Sequence, residues 1–413
     1  MSDEGVLAWP FFDDGHRDLV AQLQHWAADV LPPLLADTGE SETDAAYTCV
    51  KRLVPALGKS GLLRVCVPKA YGGLRDTLDV RSIALAREVL ARSAGLADFA
   101  LAMQGLGSAP ISLYGRDDQK QLILPRIASG TVLGAFALSE PDAGSDVGAI
   151  STTATPDGQY WRLNGTKTWI SNAGIAGYYV IFARTSEGTG SKGLSAFIVD
   201  AETPGLDCSH RINVIAPHPL GSLRLTDCRV PADCILGKPG EGFKIAMATL
   251  DIFRTTVGAA ALGFARRALD EATMWALKRH IFGKALAEFQ LTQSKLGEMA
   301  VSVDAAALLV YRSAWTKDVL GTRVTREAST AKLFATESAQ RVIDSAVQLF
   351  GGRGVEREAT VERLYREIRA LRIYEGTSEV LKLIIGSQVI QAMRHDMAKK
   401  NDDTTIDCLP PQT

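Results

Sequence analysis

The chain has 413 residues, of which 46% are hydrophobic and 22% charged, and a formal net charge of -2. Its length exceeds one ordinary core and predicts two or three domains. The near-neutral charge excludes the basic field that nucleic acid demands, and no apolar run reaches the roughly 20 residues that span a bilayer. The acidic start Met1-Ser2-Asp3-Glu4 has the features of neither a secretory signal nor a transit peptide, so cytoplasmic residence is the expectation. Six cysteines without a C-x-x-C pair and six histidines without i, i+4 pairing predict free thiols rather than a disulfide scaffold or a zinc site.

Residues 1–130 read as a helical domain. Leu19, Leu23, Trp26 and Val30 recur at helical spacing until Pro32-Pro33 stops the helix, and further helices are predicted over 45–60, 80–93, 98–114 and 117–129. From 131 to 243 the pattern becomes strand-like. Residues 160–163 and 166–170 flank Asn164-Gly165, which predicts a hairpin, and strands over 178–184, 194–200 and 223–230 suggest a small barrel or sandwich. The helical period returns over 244–396. Phe264, Ala268, Leu269, Ala272, Trp275 and Ala276 mark one face of a long helix, and three more, roughly 291–320, 326–349 and 378–393, complete a four-helix bundle. Residues 397–413 read as a flexible tail. The fold class is therefore α+β and multidomain, with a helical N-terminal domain, a β middle domain and a C-terminal helical bundle.

Two motif matches are set aside. Gly188-Thr-Gly190-Ser-Lys-Gly193 fits G-x-G-x-x-G, but a strand follows it where a dinucleotide fold requires a helix. Gly58-Lys59-Ser60 resembles the end of a phosphate loop, yet Leu53 stands where its first glycine belongs.

Three segments invite a chemical reading. Ala137-Leu-Ser-Glu-Pro-Asp-Ala-Gly-Ser-Asp146 places small residues and hydroxyls where the helical domain hands over to the β domain; it suits close backbone approach to a polar ligand, or a plain turn. Gln348-Leu-Phe-Gly-Gly-Arg-Gly354 holds more glycines than one helix cap needs and reads as a ligand-approach loop or a flexible helix end. Ile373-Tyr-Glu-Gly-Thr-Ser378 sets Glu375 beside a glycine at a helix entry. Glu375 is either a surface or capping carboxylate or, desolvated beside Tyr374, a base with a raised pKa; Thr377 or Ser378 caps the helix.

Together these segments resemble the acyl-CoA dehydrogenase family over about residues 15–395. Leu138-Ser-Glu-Pro-Asp-Ala-Gly-Ser-Asp is similar to its first signature, Gln348-x-x-Gly-Gly-x-Gly-Val355 with Arg363 and Glu367 to its second, and Tyr374-Glu-Gly-Thr to the segment that carries the catalytic base. The resemblance implies FAD as cofactor. Phe136, Leu138, Ser139, Gly144 and Ser145 match the strand and loop at the isoalloxazine, and Trp169, Ile170 and Ser171 match the element packed against it. Arg279, Phe282, Gln348 and Gly352 match positions that reach the flavin across a subunit contact, Gln290 matches a further contact, and Thr377 and Glu379 match residues near its phosphates. Glu379 departs from the glutamine usual there. Without the resemblance, Trp169 reads equally as strand packing and Arg279 as a helix-surface cation.

For an acyl-CoA substrate the resemblance implies Ser145, Asp251, Arg254, Tyr374 and Gly376, with an Asp251–Arg254 ion pair as the alternative for those two. The implied reaction is α,β-dehydrogenation to the enoyl-CoA, with the proton to Glu375, the hydride to flavin N5, and the Glu375 N–H with a ribityl hydroxyl as oxyanion donors. Electron-transfer flavoprotein is the implied acceptor and a homotetramer the implied assembly. The alternatives are an oxygen-using acyl-CoA oxidase-like enzyme and a catalytically weak acyl-CoA- or flavin-binding protein. Residues 95–114, matching part of the acyl-pocket wall, hold no Lys or Arg, which disfavours a distal carboxylate; Asp98 lies near the position where the glutaryl-CoA branch has an arginine. Residues 214–221 depart from the family pattern.

Overall fold

The computed structural model describes residues 4–36, 39–185, 190–357 and 359–405. The chain opens with helices α1 (Glu4–Leu7), α2 (Asp14–Asp29), α3 (Leu31–Leu34), α4 (Glu42–Lys59), α5 (Val80–Ser93), α6 (Gly95–Tyr114) and α7 (Asp117–Ala128). Pro32 and Pro33 do not simply end the preceding helix. They occupy the first turn of α3, where a missing N–H and a fixed φ cost nothing. Leu53, Val54 and Leu57 of α4 and Ala97, Ala100 and Leu101 of α6 share one buried cluster, so the helical period is the imprint of one core.

Strands β1 (Gly134–Ala137), β2 (Thr153–Asp157), β3 (Tyr160–Ser171), β4 (Tyr178–Arg184), β5 (Leu194–Asp200), β6 (Leu206–Asp207), β7 (Leu220–Pro231) and β8 (Ile235–Leu236) follow. They form one sheet in the order β6-β7-β3-β2-β4-β5-β8, with β1 parallel to β4. The predicted hairpin at Asn164-Gly165 is a correction. Residues 160–171 are one strand, and the turn lies at Gly158-Gln159, between the paired Asp157 and Tyr160.

Asn164-Gly165 instead marks a bulge against β7. The Asn164 side chain accepts the Asp227 N–H at 2.7 Å, and a Cβ on Gly165 would lie 2.8 Å from Thr152 Cα, so the glycine permits a close backbone approach rather than a reversal. Gly165→Ala is accordingly expected to cost about 1–3 kcal/mol, read as a lowered denaturation midpoint with an unchanged m-value. Of the glycine-rich hairpin, 186–189 lie outside the described residues; Gly190–Gly193 is a short 3-10 turn that leads directly into β5.

The bundle comprises α8 (Gly242–Lys278), the small hairpin β9 (His280–Ile281) and β10 (Lys284–Ala285), then α9 (Gln290–Val319), α10 (Thr325–Phe350), α11 (Thr360–Leu371) and α12 (Ser378–Thr405). Helix α8 is apolar and long enough to cross a membrane by composition, with a mean hydropathy of 1.3 over its most apolar window, but 89% of that window is buried within the protein. It is the central core helix, packed on α5, α9 and α10. Two bounds differ from expectation. Helix α11 was not anticipated, because charged residues interrupt the apolar set Val361, Leu364, Ile368 and Leu371 that it buries. Helix α12 continues to Thr405, well into the segment read as tail; 406–413 lie outside the described residues.

Candidate active site

The segment between α11 and α12 carries one of two consecutive positive-φ pairs in the bundle, the other being Phe282-Gly283. Glu375 has φ +55°, in the left-handed region that a residue with a Cβ rarely adopts, and Gly376 follows at φ +103°. Two cations hold the strained pair. Arg254 of α8 donates through Nε to the Glu375 carbonyl at 3.1 Å, and Lys332 of α10 donates through Nζ to the Gly376 carbonyl at 2.7 Å. Thr377 caps α12, its hydroxyl accepting the Val380 N–H at 3.3 Å. Ser378 instead donates to Glu337 at 2.5 Å.

The Glu375 side chain makes no hydrogen bond or ion pair among the described residues. Its Oε2 is buried without a hydrogen-bond partner, and its main-chain N–H donates to no group among the described hydrogen bonds. Burial pushes the carboxyl above the ordinary glutamate range, against the lowering influence of Arg87, Lys332 and Arg254; Asp98 adds to the rise. A capping carboxylate would be solvated or bonded, and Glu375 Oε2 is neither among the described residues. A carboxylate with spare lone pairs, an N–H on the same residue without a described partner and positive charge nearby is an arrangement that can serve as a base beside an anion-stabilising donor.

Asp251 and Arg254 do form the ion pair, at 3.4 Å, and Asp251 also accepts the Thr325 hydroxyl at 2.7 Å. The pair therefore supports the base segment, and its availability to a ligand is confined to what Arg254 has left after Asp251 and the Glu375 carbonyl. Sequence reasoning missed Arg87 and Lys332. Both are charged residues on buried helix faces that otherwise hold no charge, Arg87 among Ile83, Ala84, Ala86, Leu90 and Ala91, and Lys332 among Ala328, Ser329, Ala331, Ala335 and Thr336. That mismatch is the signal that marks them. Arg87 bonds Asp98 through two nitrogens, at 2.8 and 2.9 Å, and Thr256 at 3.1 Å. Burial raises the Tyr374 phenol, against the lowering influence of Arg87.

A second group forms around the loop after β1. Glu140 is buried and accepts from Ser151 N at 2.7 Å, the Ser151 hydroxyl at 2.8 Å, Thr152 N at 3.0 Å and Lys167 Nζ at 2.8 Å, while Lys167 also donates to the Leu138 carbonyl at 3.1 Å. This network, also unforeseen, fixes the loop and leaves Gly144 and Ser145 exposed. The Thr168 N–H donates to the Ser139 carbonyl at 3.0 Å, joining the loop to the bulge that holds Trp169. Trp169, at φ +59°, is thrown outward with 59% of its surface exposed. Strand packing therefore does not explain it. Ile170 is buried in the sheet core at 1% exposure and Leu138 is also buried, so those two offer a ligand main chain rather than side chain; Ser171 and Phe136 are half-buried, and Phe136 packs on Phe182.

The third group sits at the far end of the bundle. Phe282, at φ +49° in the β9–β10 turn, is 93% exposed, and Arg279 is exposed just before it. Trp275 bonds the Leu349 carbonyl at 3.1 Å and stacks on Phe350, which brings the Gln348–Gly352 turn to the same end. Gln290 opens α9 immediately after that hairpin. Among the described residues no hydrogen bond or ion pair joins this group to the Trp169 loop. Glu379 is exposed at the start of α12, with its carboxyl held low by its own N–H and by Thr377.

Helical, β and helical domains in this order, with a strained carboxylate on the last turn before the final helix, define a class of enzyme rather than a binding module. The family descriptions agree: the acyl-CoA dehydrogenase N-terminal domain matches residues 13–131, the middle domain 135–228 and the C-terminal domain 240–390. The chain belongs to the acyl-CoA dehydrogenase family. It is 39% identical over 382 residues to the human mitochondrial short-chain specific acyl-CoA dehydrogenase, covering 92% of this chain and 91% of the relative. Its fold is similar to that of the butyryl-CoA dehydrogenase of Megasphaera elsdenii, at a TM-score of 0.84 and 35% identity over 92% of this chain and 99% of that one. It is likewise similar to an acyl-CoA dehydrogenase of Bacillus anthracis complexed with FAD, at a TM-score of 0.84 and 32% identity over 93% of this chain and 68% of that one.

Proposed function

We propose that the protein binds FAD and dehydrogenates an acyl-CoA with a short, uncharged acyl chain across its α,β bond, with Glu375 as the base. The observation that carries this reading is the Glu375 Oε2, buried without a partner among the described residues on a left-handed turn pinned by Arg254 and Lys332.

The residues present suit the cofactor. Trp169 and Phe282 are aromatic, exposed and held at positive φ, and a Cβ built on Gly144 or Gly352 would meet nothing within 4 Å, which leaves main chain open to a flat ring or a phosphate. Ser139, Gly144, Ser145, Trp169 and Ser171 would hold FAD in one chain, and Arg279, Phe282, Gln348 and Gly352 would complete the site of a neighbouring copy in a homotetramer. When bound, FAD supplies the two-electron acceptor for the β hydrogen. The chain's own residues do the rest. Glu375 takes the α proton, its N–H faces the thioester oxygen as enolate charge develops, and Gly376 keeps a side chain out of the thioester's way.

Arg87 bears on the substrate. It reaches the site from α5, outside the wall segment whose lack of cations pointed away from a distal carboxylate, but Asp98 already binds it through two nitrogens. A neutralised guanidinium gives a carboxylate-bearing acyl chain little reward for its desolvation. The similarity to short-chain and butyryl-CoA dehydrogenases supports the same choice. Electron-transfer flavoprotein is the acceptor this reading favours, and the free thiols of Cys49, Cys66, Cys208, Cys228 and Cys234 suit a reducing compartment such as the cytoplasm.

The test is anaerobic mixing of the purified flavoprotein with straight, branched, alicyclic and dicarboxylic acyl-CoAs while the flavin absorbance is followed. Bleaching fastest with a short straight chain is the expected result. A yellow protein reduced by none of them would overturn the reading, and reoxidation by oxygen faster than by electron-transfer flavoprotein would reassign the acceptor.

A further inference from the structure

We propose that Lys332 is a positioning residue for the base: its ammonium pins the carbonyl of Gly376 and so aims the Glu375 carboxylate. This rests on the assignment of Glu375 as base and adds a residue to it.

The geometry is specific. Lys332 is fully buried in the middle of α10, on a face of small uncharged residues, Ala328, Ser329, Ala331, Ala335, Thr336 and Ala339. A lysine there costs desolvation free energy that an alanine or leucine would not, and it recovers little from partners. No salt bridge shorter than 4.0 Å to a carboxylate is formed by Lys332 among the described residues. Its described hydrogen bond goes to the carbonyl of a glycine, at 2.7 Å. A packing role explains the four-carbon stem but not the ammonium.

The bond falls where the backbone most needs restraint. Glu375 and Gly376 are both at positive φ, and a Glu in that region is strained by about 1–2 kcal/mol relative to a right-handed conformation. Arg254 holds one carbonyl of the pair and Lys332 the other, from two different helices. With both in place, the peptide planes on either side of Gly376 are fixed, and with them the direction in which the Glu375 Cα–Cβ bond leaves the chain.

Charge acts together with position. The groups that bear on Glu375 are Arg87 from α5, Asp98 from α6, Arg254 from α8, Lys332 from α10 and the adjacent Tyr374; Lys332 is itself biased by Glu375, Arg254, Glu337 and Glu379. Burial brings the Lys332 ammonium down to about 8, so it is charged through neutral pH and begins to lose its proton just above it. While charged it favours the ionised Glu375. Removing it leaves burial and Asp98 less opposed, so the acid limb of activity moves to higher pH.

Two substitutions separate the roles. Lys332→Met keeps the stem and loses both donor and charge; Lys332→Gln keeps an N–H donor and loses the charge. Both are made in the full chain with FAD bound, and flavin content and melting temperature are recorded first. In anaerobic single turnover with the best acyl-CoA, Lys332→Met is expected to reduce flavin about 10- to 100-fold more slowly at its pH optimum, the cost of an unpaired buried carbonyl on a strained turn. Lys332→Gln is expected to recover most of that plateau, while both move the acid limb up by about one pH unit.

The infrared carboxyl band that disappears in Glu375→Gln gives a readout independent of turnover, and its titration midpoint should rise in both variants. An unmoved midpoint together with a wild-type plateau in Lys332→Met would overturn the proposal. A slowed Lys332→Met that Gln does not improve, with the midpoint unmoved, would reduce the lysine to a structural part and equally overturn it. Should Lys332→Met lose its flavin or fail to fold, the Gln variant decides by the same midpoint. If wild-type flavin is reduced by no acyl-CoA, the functional reading fails, and the infrared titration still decides whether Lys332 governs Glu375.

Discussion

Glu375→Gln is expected to lower the rate of flavin reduction by at least about 10²–10⁴-fold, the usual contribution of a positioned general base, while acyl-CoA binding and FAD content stay near wild type. The amide fills the same volume and keeps the main-chain N–H, so the loss falls on kcat rather than KM. The pH dependence follows from the raised carboxyl. The base works only when ionised, so activity in the wild type rises with pH through the folded pKa, which lies above the ordinary glutamate value. For stability the sign is opposite. A group whose folded pKa exceeds its unfolded value favours the fold at low pH, and that contribution is lost as pH rises through the folded pKa. Above its folded pKa the ionised Glu375 is therefore a burden on the fold, and there Glu375→Gln should melt higher than wild type. Scanning calorimetry at pH 5 and pH 8 checks the sign: the gain from the substitution should be larger at pH 8.

The second large effect concerns stability and flavin retention. Lys167→Met is expected to cost about 3–5 kcal/mol, because it leaves Glu140 charged and buried with one fewer partner. Burial alone would push Glu140 up, but Lys167, Thr152 and Ser151 together hold its carboxyl at about 2. The contribution of this group is thus present above its unfolded value of 4.5 and lost as pH falls from there toward 2. The network anchors the loop that carries Ser139, Gly144 and Ser145, so flavin should be released more readily as well as the midpoint lowered. A denaturation series with flavin fluorescence as the second probe separates the two effects. An unchanged midpoint with full flavin content would show that the loop does not depend on this pair.

Much of this architecture is legible in the sequence. Helical spacing in 80–93 and 117–129 and the long apolar face around Phe264–Ala276 are direct consequences of burial, and the Tyr374-Glu-Gly segment announces a carboxylate at a turn. What could not be read is what depends on distant parts of the chain meeting. Asn164-Gly165 carries the strongest local hairpin signal available, yet Thr152, just before β2, and Asp227 of β7 approach it and turn it into a bulge. Arg87 and Lys332 are separated from Glu375 by 288 and 43 residues in sequence, so nothing local to either indicates that they face the same carboxylate. Ile170 lies in a motif beside exposed Trp169, and it takes the bulge in the sheet to show that one side chain faces out and the other in. The position of Glu140 at the centre of four donors likewise depends on Lys167 arriving from β3.

The central claim is that an acyl-CoA delivers its α proton to Glu375. The most direct measurement compares anaerobic flavin bleaching by butyryl-CoA carrying hydrogen or deuterium at the α carbon, in wild type and in Glu375→Gln. Slower bleaching with deuterium in the wild type, and bleaching nearly abolished in the variant with either isotope, is the predicted result. Wild-type bleaching rates in Glu375→Gln would contradict the account.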